Sequence, residues 1–131
     1  MGQNQLLMVV LSIIIIAVSI TVGMDQFGEN AVTANRDAVA INCEHILSSA
    51  QQYFRKPAML GGGGSTYTGV TLSAIGVDSV NANGTFTMTV SPPNELTIVG
   101  TGNQPVKGGG NVQVTLVHDA STEQVTYTDN L

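Results

Sequence analysis

Residues 6–22 read LLMVVLSIIIIAVSITV and form the most apolar stretch of the chain. No charged side chain precedes Asp25. At a helical rise of about 1.5 Å per residue, residues 1–24 cover roughly 36 Å, enough to cross the ~30 Å hydrocarbon core of a bilayer. The polar residues Ser12, Ser19 and Thr21 are scattered, and each can hydrogen-bond to a carbonyl of its own helix. The stretch therefore predicts a helix surrounded by lipid or by other apolar helices.

The same stretch could instead be a cleaved secretory signal. Its apolar run exceeds the usual length of about 7–15 residues, and no basic residue precedes it, since residues 1–5 read MGQNQ. Ala17-Val18-Ser19 offers only a weak cleavage site. A retained membrane anchor or assembly helix is the favoured interpretation.

The following segment predicts an amphipathic continuation of the helix. Apolar residues with helical spacing form one face, namely Phe27, Ala31, Ala34, Ala38 and Ile41, continued by Cys43, Ile46, Leu47, Ala50, Tyr53 and Phe54. We expect a helical region over residues 1–56, with a transmembrane or filament-core part at 1–24 and an amphipathic part at 25–56. Gly23 and Gly28 each cost up to about 1 kcal/mol of helix stability, so residues 22–28 are the expected place for a bend or a melted segment. Pro57 ends the helix.

The remainder predicts a glycine-rich connection at residues 57–80 and a β head at residues 81–131. Gly61–Gly64 is expected to be a flexible loop, and Tyr67–Val80 fits either a short helical turn or a strand. From residue 81 apolar and polar residues alternate, which is typical of strands with one apolar face. Four strands are expected, with apolar residues Phe86, Met88 and Val90, then Leu96 and Ile98, then Val112, Val114 and Leu116, and finally Val125 and Tyr127. Gly100–Gly110 is expected to be a loop.

These elements predict an α+β fold in which a four-stranded antiparallel sheet packs on the amphipathic part of the helix. Short connections make neighbouring strands antiparallel, and a sheet with one apolar face needs a second layer. Helix residues from about 31 to 54 offer the only other large apolar surface in the chain. A head of about 70 residues is marginal by itself and gains stability from docking there.

Composition argues against several classes of function. The formal net charge is −5, and the four basic residues are Arg36, Arg55, Lys56 and Lys107. Binding of nucleic acid, or of an anionic membrane through a basic patch, is therefore not expected. The single cysteine, Cys43, cannot form an intramolecular disulfide. We expect it to be a small buried residue of the helix, with a cross-link between subunits as the alternative.

Candidate sites for chemistry are few. His45 and His118 lack metal-ligand spacing, so each is expected to be structural or solvent-exposed. The sequence has no nucleophile elbow, phosphate-binding loop or dinucleotide-binding motif, and it predicts no enzyme and no catalytic, cofactor or metal site. Asn83-Gly84-Thr85 is a glycosylation sequon, although Asn-Gly is also common hairpin chemistry. The six aromatic residues are expected in the core rather than in a conductive stack; they are Phe27, Tyr53, Phe54, Tyr67, Phe86 and Tyr127.

A short polar start, a charge-free apolar helix, an amphipathic continuation and a terminal antiparallel sheet together resemble a type IV pilin or a related pilin-like subunit. The resemblance covers the architecture of the whole chain, and its residue-level content lies in residues 1–27. In that family a prepilin peptidase trims the chain, the new first residue is methylated and a glutamate usually follows at the fifth position. Here Gln5 stands in that place and can offer only a neutral hydrogen bond, while Gly23 stands near the family's helix breaker. No basic leader precedes Met1, which implies earlier processing or a very short leader such as Met1-Gly2.

The resemblance implies a subunit of an extracellular helical filament that serves adhesion, motility or surface attachment. It also implies many copies of this chain as partners, a pool in the cytoplasmic membrane with the head outside, and action by prepilin peptidase and pilus assembly machinery. Gln5 would make an N-terminal polar contact, and the residues expected to pack in the filament core are Leu6, Leu7, Val10, Leu11, Ile14, Ile15, Val18 and Val22. Two alternatives stay open: a monomeric single-pass anchored extracytoplasmic binding domain, and a pseudopilin of a secretion or uptake system.

Overall fold

A computed structural model describes residues 2–91 and 93–131 and confirms the α+β fold, with one long helix and a C-terminal antiparallel sheet packed against it. Helix α1 (Gly2–Arg55) has 54 residues. At about 1.5 Å per residue this is roughly 80 Å. Residues 2–31 are exposed except for Gly23, so the head packs on the later part of α1 only. A short 3-10 helix (Ala58–Leu60) follows.

The sheet is a meander of antiparallel hairpins. Its five strands in the described part of the chain follow sequence order: β1 (Val80–Asn81), β2 (Gly84–Ser91), β3 (Glu95–Pro105), β4 (Asn111–Asp119) and β5 (Gln124–Asp129). The four predicted strands correspond to β2–β5. Strand β1 is a two-residue addition in which Val80 pairs with Thr85 and Asn81 with Gly84.

The core is a single layer of side chains between α1 and the sheet. From α1 it takes Val39, Cys43, Ile46, Leu47 and Ala50; from the sheet it takes Phe86, Leu96, Ile98, Val112, Val114 and Leu116. Tyr67 and Val70 of the connection join this core. Val125 and Tyr127 of β5 lie opposite His118 and Leu116 of β4 but stay 50% and 46% exposed. They lie at the margin because α1 crosses β3 and β4 rather than β5.

The sheet packs on a different face of α1 from the one that we predicted from Phe27 to Ile41. Phe27 is 76% exposed and Ile41 is 67% exposed, and both Ala31 and Ala34 are exposed. That part of the prediction is wrong because α1 carries two apolar stripes on different sides. The sheet packs on the stripe that contains Val39. Towards the N-terminus this stripe becomes polar, which is why the pattern did not reveal it.

Strand β3 extends well beyond the predicted strand and includes glycines that we assigned to a loop. Gly100 lies opposite Phe86 of β2 and Val114 of β4. A Cβ atom built on Gly100 would lie 2.5 Å from Cγ1 of Val39 and 2.9 Å from Sγ of Cys43. The helix crosses β3 so closely that a residue without a side chain is needed there.

Gly61–Gly64 forms no regular element, but it is packed against the end of α1 rather than free. The amides of Gly63 and Ser65 donate to the carbonyls of Tyr53 and Phe54, both at 2.8 Å, so they satisfy carbonyls that a helix end leaves open. A Cβ atom on Gly63 would collide with the carbonyl oxygen of Thr66. Close packing therefore requires glycine at positions 62 and 63, and the expectation of a flexible loop is corrected.

The helix is continuous through Gly23 and Gly28, so the predicted melted segment is absent from this structure. A Cβ atom on either glycine would meet no heavy atom within 4 Å. Neither position therefore needs glycine for packing. A role for the two residues in helix flexibility stays a prediction.

Candidate assembly surface

The first part of α1 is an uncovered apolar surface. The residues predicted to pack in a filament core are 51–67% exposed, and they are Leu6, Leu7, Val10, Leu11, Ile14, Ile15, Val18 and Val22. The hydroxyl groups of Ser12 and Ser19 donate to carbonyls one turn earlier, at 2.8 Å each, and the hydroxyl of Thr21 does the same at 2.9 Å. Because these polar groups are satisfied within the helix, the segment tolerates a medium without water. It is long and apolar enough to cross a membrane.

The predicted site residues are not brought together. Gln5 is exposed near the start of α1, whereas Asn83 lies in the turn before β2. The backbone of Asn83 is tied down on both sides, since its amide donates to Oδ1 of Asn81 at 2.8 Å and its carbonyl accepts from Asn35 at 3.0 Å. Glycosylation of Asn83 stays a prediction.

Asn35 fastens the sheet to α1, and our sequence analysis missed it. Its Nδ2 donates to the carbonyl of Asn83, while its Oδ1 accepts from the amides of Asn103 at 2.9 Å and Gln104 at 3.3 Å. The pairing of β3 with β4 is irregular between Thr101 and Pro105, so these amides need another acceptor. The signal available in the sequence was an asparagine one helical turn before Val39.

Two sets of ion pairs hold the base of the head against α1. Lys107 of the β3–β4 hairpin lies 2.6 Å from Glu29, and it lowers the pKa of that carboxyl through a hydrogen bond and its charge. Arg36 contacts Asp37 at 2.7 Å and Asp129 of β5 at 3.6 Å. Pairs this exposed add little stability.

A cleft of about 620 Å³ lies beside the Glu29–Lys107 pair, between α1 and the β3–β4 hairpin. Met24, Gly28 and Val32 line its helix side, and Pro105 and Val106 line the other. Apart from the Glu29–Lys107 ion pair, the head therefore separates from α1 at about Val32. From that point towards the N-terminus the helix is free to meet other molecules.

A buried polar cluster lies at the opposite end of the head, around His118. Its Nδ1 is 2.9 Å from the hydroxyl of Tyr67, and its Nε2 is 3.3 Å from the amide nitrogen of Gln51. Burial lowers the pKa of His118 and outweighs the opposing charges of Asp119 and Glu123. A neutral imidazole, with one donor and one acceptor nitrogen, matches these two partners. The cluster is a structural network, as expected for His118.

His45 and Cys43, the other two candidate residues, lie in different surroundings. His45 is exposed, and Cys43 is fully buried against Gly100. Burial raises the pKa of the Cys43 thiol to about 11, so it is protonated and inaccessible, which favours its structural role over a cross-link. Within residues 2–91 and 93–131, no group of three or more His, Cys, Asp or Glu side chains is placed to hold a metal ion.

Comparison of the chain with protein-family models, with curated proteins and with solved structures gave no match.

Proposed function

We propose that this protein is a structural subunit of an extracellular, type IV pilus-like helical filament that polymerises through residues 6–22. The observation that carries the proposal is the uncovered apolar surface of α1 over these residues, on a chain whose head already has its own core. Such a surface requires lipid or other apolar helices around it. The architectural resemblance to pilins favours other copies of the same helix.

The energetics of assembly support this proposal. Burying a large apolar side chain contributes about 1.5–3 kcal/mol against its exposure to water, so the free helix cannot remain in solvent. Transfer from a bilayer to a bundle of helices exchanges one apolar environment for another. Its free energy is then small, and contacts of the head with assembly machinery can decide the direction.

Gln5 has a defined part in the proposed filament. Its amide can accept a hydrogen bond from the terminal amine of a neighbouring subunit and donate another, without placing a negative charge in an apolar core. The contact would therefore set the axial offset between subunits that are staggered along the filament.

The test replaces Ile14 with lysine, which would place an unpaired charge in the proposed core at a cost of several kcal/mol. Gln26→Lys is the matched control, because Gln26 is exposed on the same helix but outside residues 6–22. Electron microscopy of sheared cell-surface material should show filaments for the wild type and for Gln26→Lys and very few for Ile14→Lys. The membrane content of each variant is measured in parallel to confirm that the subunit is inserted.

Normal filament yield with Ile14→Lys would contradict the core assignment. Wild-type protein that stays in the membrane fraction, with no filament in the sheared material, would favour the second candidate, a monomeric anchored extracytoplasmic domain. The same exposed helix favours that candidate, because lipid alone can cover a single span.

A further inference from the structure

The part of α1 that follows the apolar segment presents an apolar stripe that the head leaves uncovered. We call it the free stripe; it consists of Met24, Phe27, Ala31, Ala34, Ala38 and Ile41, all exposed except the half-buried Ala38. Its three large side chains, Met24, Phe27 and Ile41, are 69%, 76% and 67% exposed. The spacings alternate between three and four residues, so Met24, Ala31 and Ala38 occupy a positions of a heptad and the others d positions.

The same heptad phase continues through the apolar segment without a polar residue. It runs towards the N-terminus through Ile20, Ala17, Ile13, Val10 and Leu6. The hydroxyl residues Ser12, Ser19 and Thr21 all fall at other heptad positions. Towards the C-terminus the next two seam positions are His45 and Ser48, so the stripe ends at Ile41. A sustained seven-residue repeat of this kind is typical of helices that pair in a left-handed coiled coil.

The head lies mainly on the side of the heptad opposite the seam, and it also hydrogen-bonds to Asn35 and Asn42 at e positions beside the seam. The buried helix residues Val39, Cys43, Ile46, Leu47 and Ala50 occupy b, c and f positions, which face away from the partner in a coiled coil. A partner helix can therefore reach the free stripe without displacing the sheet. One apolar stripe of α1 packs on the sheet, and the other is available to a partner helix.

We infer that the free stripe is an interface between parallel copies of this chain, whose α1 helices pair in register through a coiled coil that extends to Ile41. The inference rests on the part of the proposed function in which the apolar helices enter one membrane in one direction, and not on polymerisation. The common membrane makes the copies parallel. Alanines at three seam positions let the two backbones approach closely.

The charges beside the stripe support a parallel arrangement. In parallel, in-register helices a g residue faces the e residue five positions further along the partner. Asp37 would then face Asn42, and Glu44 would face Ser49, so no like charges meet. An antiparallel pair would bring g positions together and oppose the carboxylates of Asp37 and Glu44.

The test is oxidative cross-linking of the full chain in membranes and in detergent micelles. Ala34→Cys places a thiol at a d position, where the Cα atoms of paired helices fall within the disulfide range of about 4.4–6.8 Å. Thr33→Cys is the matched control, because Thr33 is exposed and adjacent but occupies an outward c position. The buried native Cys43 gives a low background, which the wild type measures. We expect at least about tenfold more covalent dimer for Ala34→Cys than for Thr33→Cys.

A second variant tests whether the whole stripe acts together. Adding Ile41→Asp to the Ala34→Cys chain should abolish the cross-link, whereas adding Ser48→Asp, beyond the stripe, should leave it. Equal cross-linking at positions 33 and 34, or none at 34, would overturn the inference. Filaments that form from a chain with no cross-link at 34 would refute this interface and leave the proposed function standing. A cross-link in a chain that forms no filament would do the reverse.

Discussion

The buried His118 makes the stability of the head depend on pH. Burial lowers the pKa of this histidine in the folded state, so the unfolded chain takes up the proton first as the pH falls below about 6.5. Protonation would also turn Nε2 into a donor that faces the amide nitrogen of Gln51. We therefore expect full stability above about pH 6.5 and a Tm that falls as the pH drops below it, followed by the near-UV circular dichroism of the tyrosines.

Two variants separate this effect from the titration of other groups. His118→Gln should lower the Tm at neutral pH but remove most of its change between about pH 6.5 and 5. His45→Gln, at an exposed position of α1, should keep the wild-type change. A wild-type Tm that is flat across this range would show that His118 is not held neutral by the fold.

The contact between α1 and β3 determines where the sheet lies on the helix. Gly100→Ala would place a Cβ atom 2.5 Å from Val39 and 2.9 Å from Cys43, both on the helix. Overpacking of this kind costs about 1–3 kcal/mol, and it outweighs the gain of about 0.5–1 kcal/mol from removing a glycine in a strand. We expect a lower Tm of the full chain in detergent, measured by the same tyrosine signal.

Gly108→Ala is the control for that substitution. A Cβ atom on Gly108, in the β3–β4 hairpin, would meet no heavy atom within 4 Å. The expected change in stability is within about 0.5 kcal/mol. If Gly100→Ala proved as stable as Gly108→Ala, the helix would have to lie further from β3 than the structure places it.

The contact between α1 and β3 also explains which elements could be predicted from the sequence. Strands β2, β4 and β5 follow from alternation alone, because each alternates apolar and polar residues. The second half of β3 does not, since Gly100 and Gly102 weaken any strand pattern and their reason is a helix far away in sequence. The face of α1 under the sheet was mispredicted for a related reason. Phe27–Ile41 has the cleaner periodicity, but Asn35 supplies the hydrogen bonds that the irregular part of β3 requires.

Helix α1 has two parts with different surroundings. Residues 2–31 contribute little to the core of the head, whereas α1 from about Asn35 to Phe54 is one of its two layers. The overall architecture was predictable, because an apolar sheet face and a single amphipathic helix leave one way to form a core. Residues 2–31 are left for lipid or other helices to cover, and those contacts are not part of the fold of a single chain.

Because one layer of the core comes from α1, we predict that the sheet cannot fold without the helix. A fragment of residues 65–131 would expose Phe86, Leu96, Ile98, Val114 and Leu116, which are at most 2% exposed in the full chain. A sheet with one uncovered apolar face and no disulfide should aggregate. Residues 28–131 restore the layer formed by Val39, Cys43, Ile46, Leu47 and Ala50, and they should give a soluble product with cooperative urea unfolding.

Adding Val39→Asp to the longer fragment provides the matched control, because Val39 is 0% exposed and lies against Gly100. An unpaired carboxylate there should cost several kcal/mol and reproduce the aggregation of residues 65–131, although the helix is still present. Sedimentation velocity and urea titration of the three fragments would measure both properties. If residues 65–131 were soluble and unfolded cooperatively, the sheet would not depend on the helix. The single layer between α1 and the sheet would then not be what holds the head together.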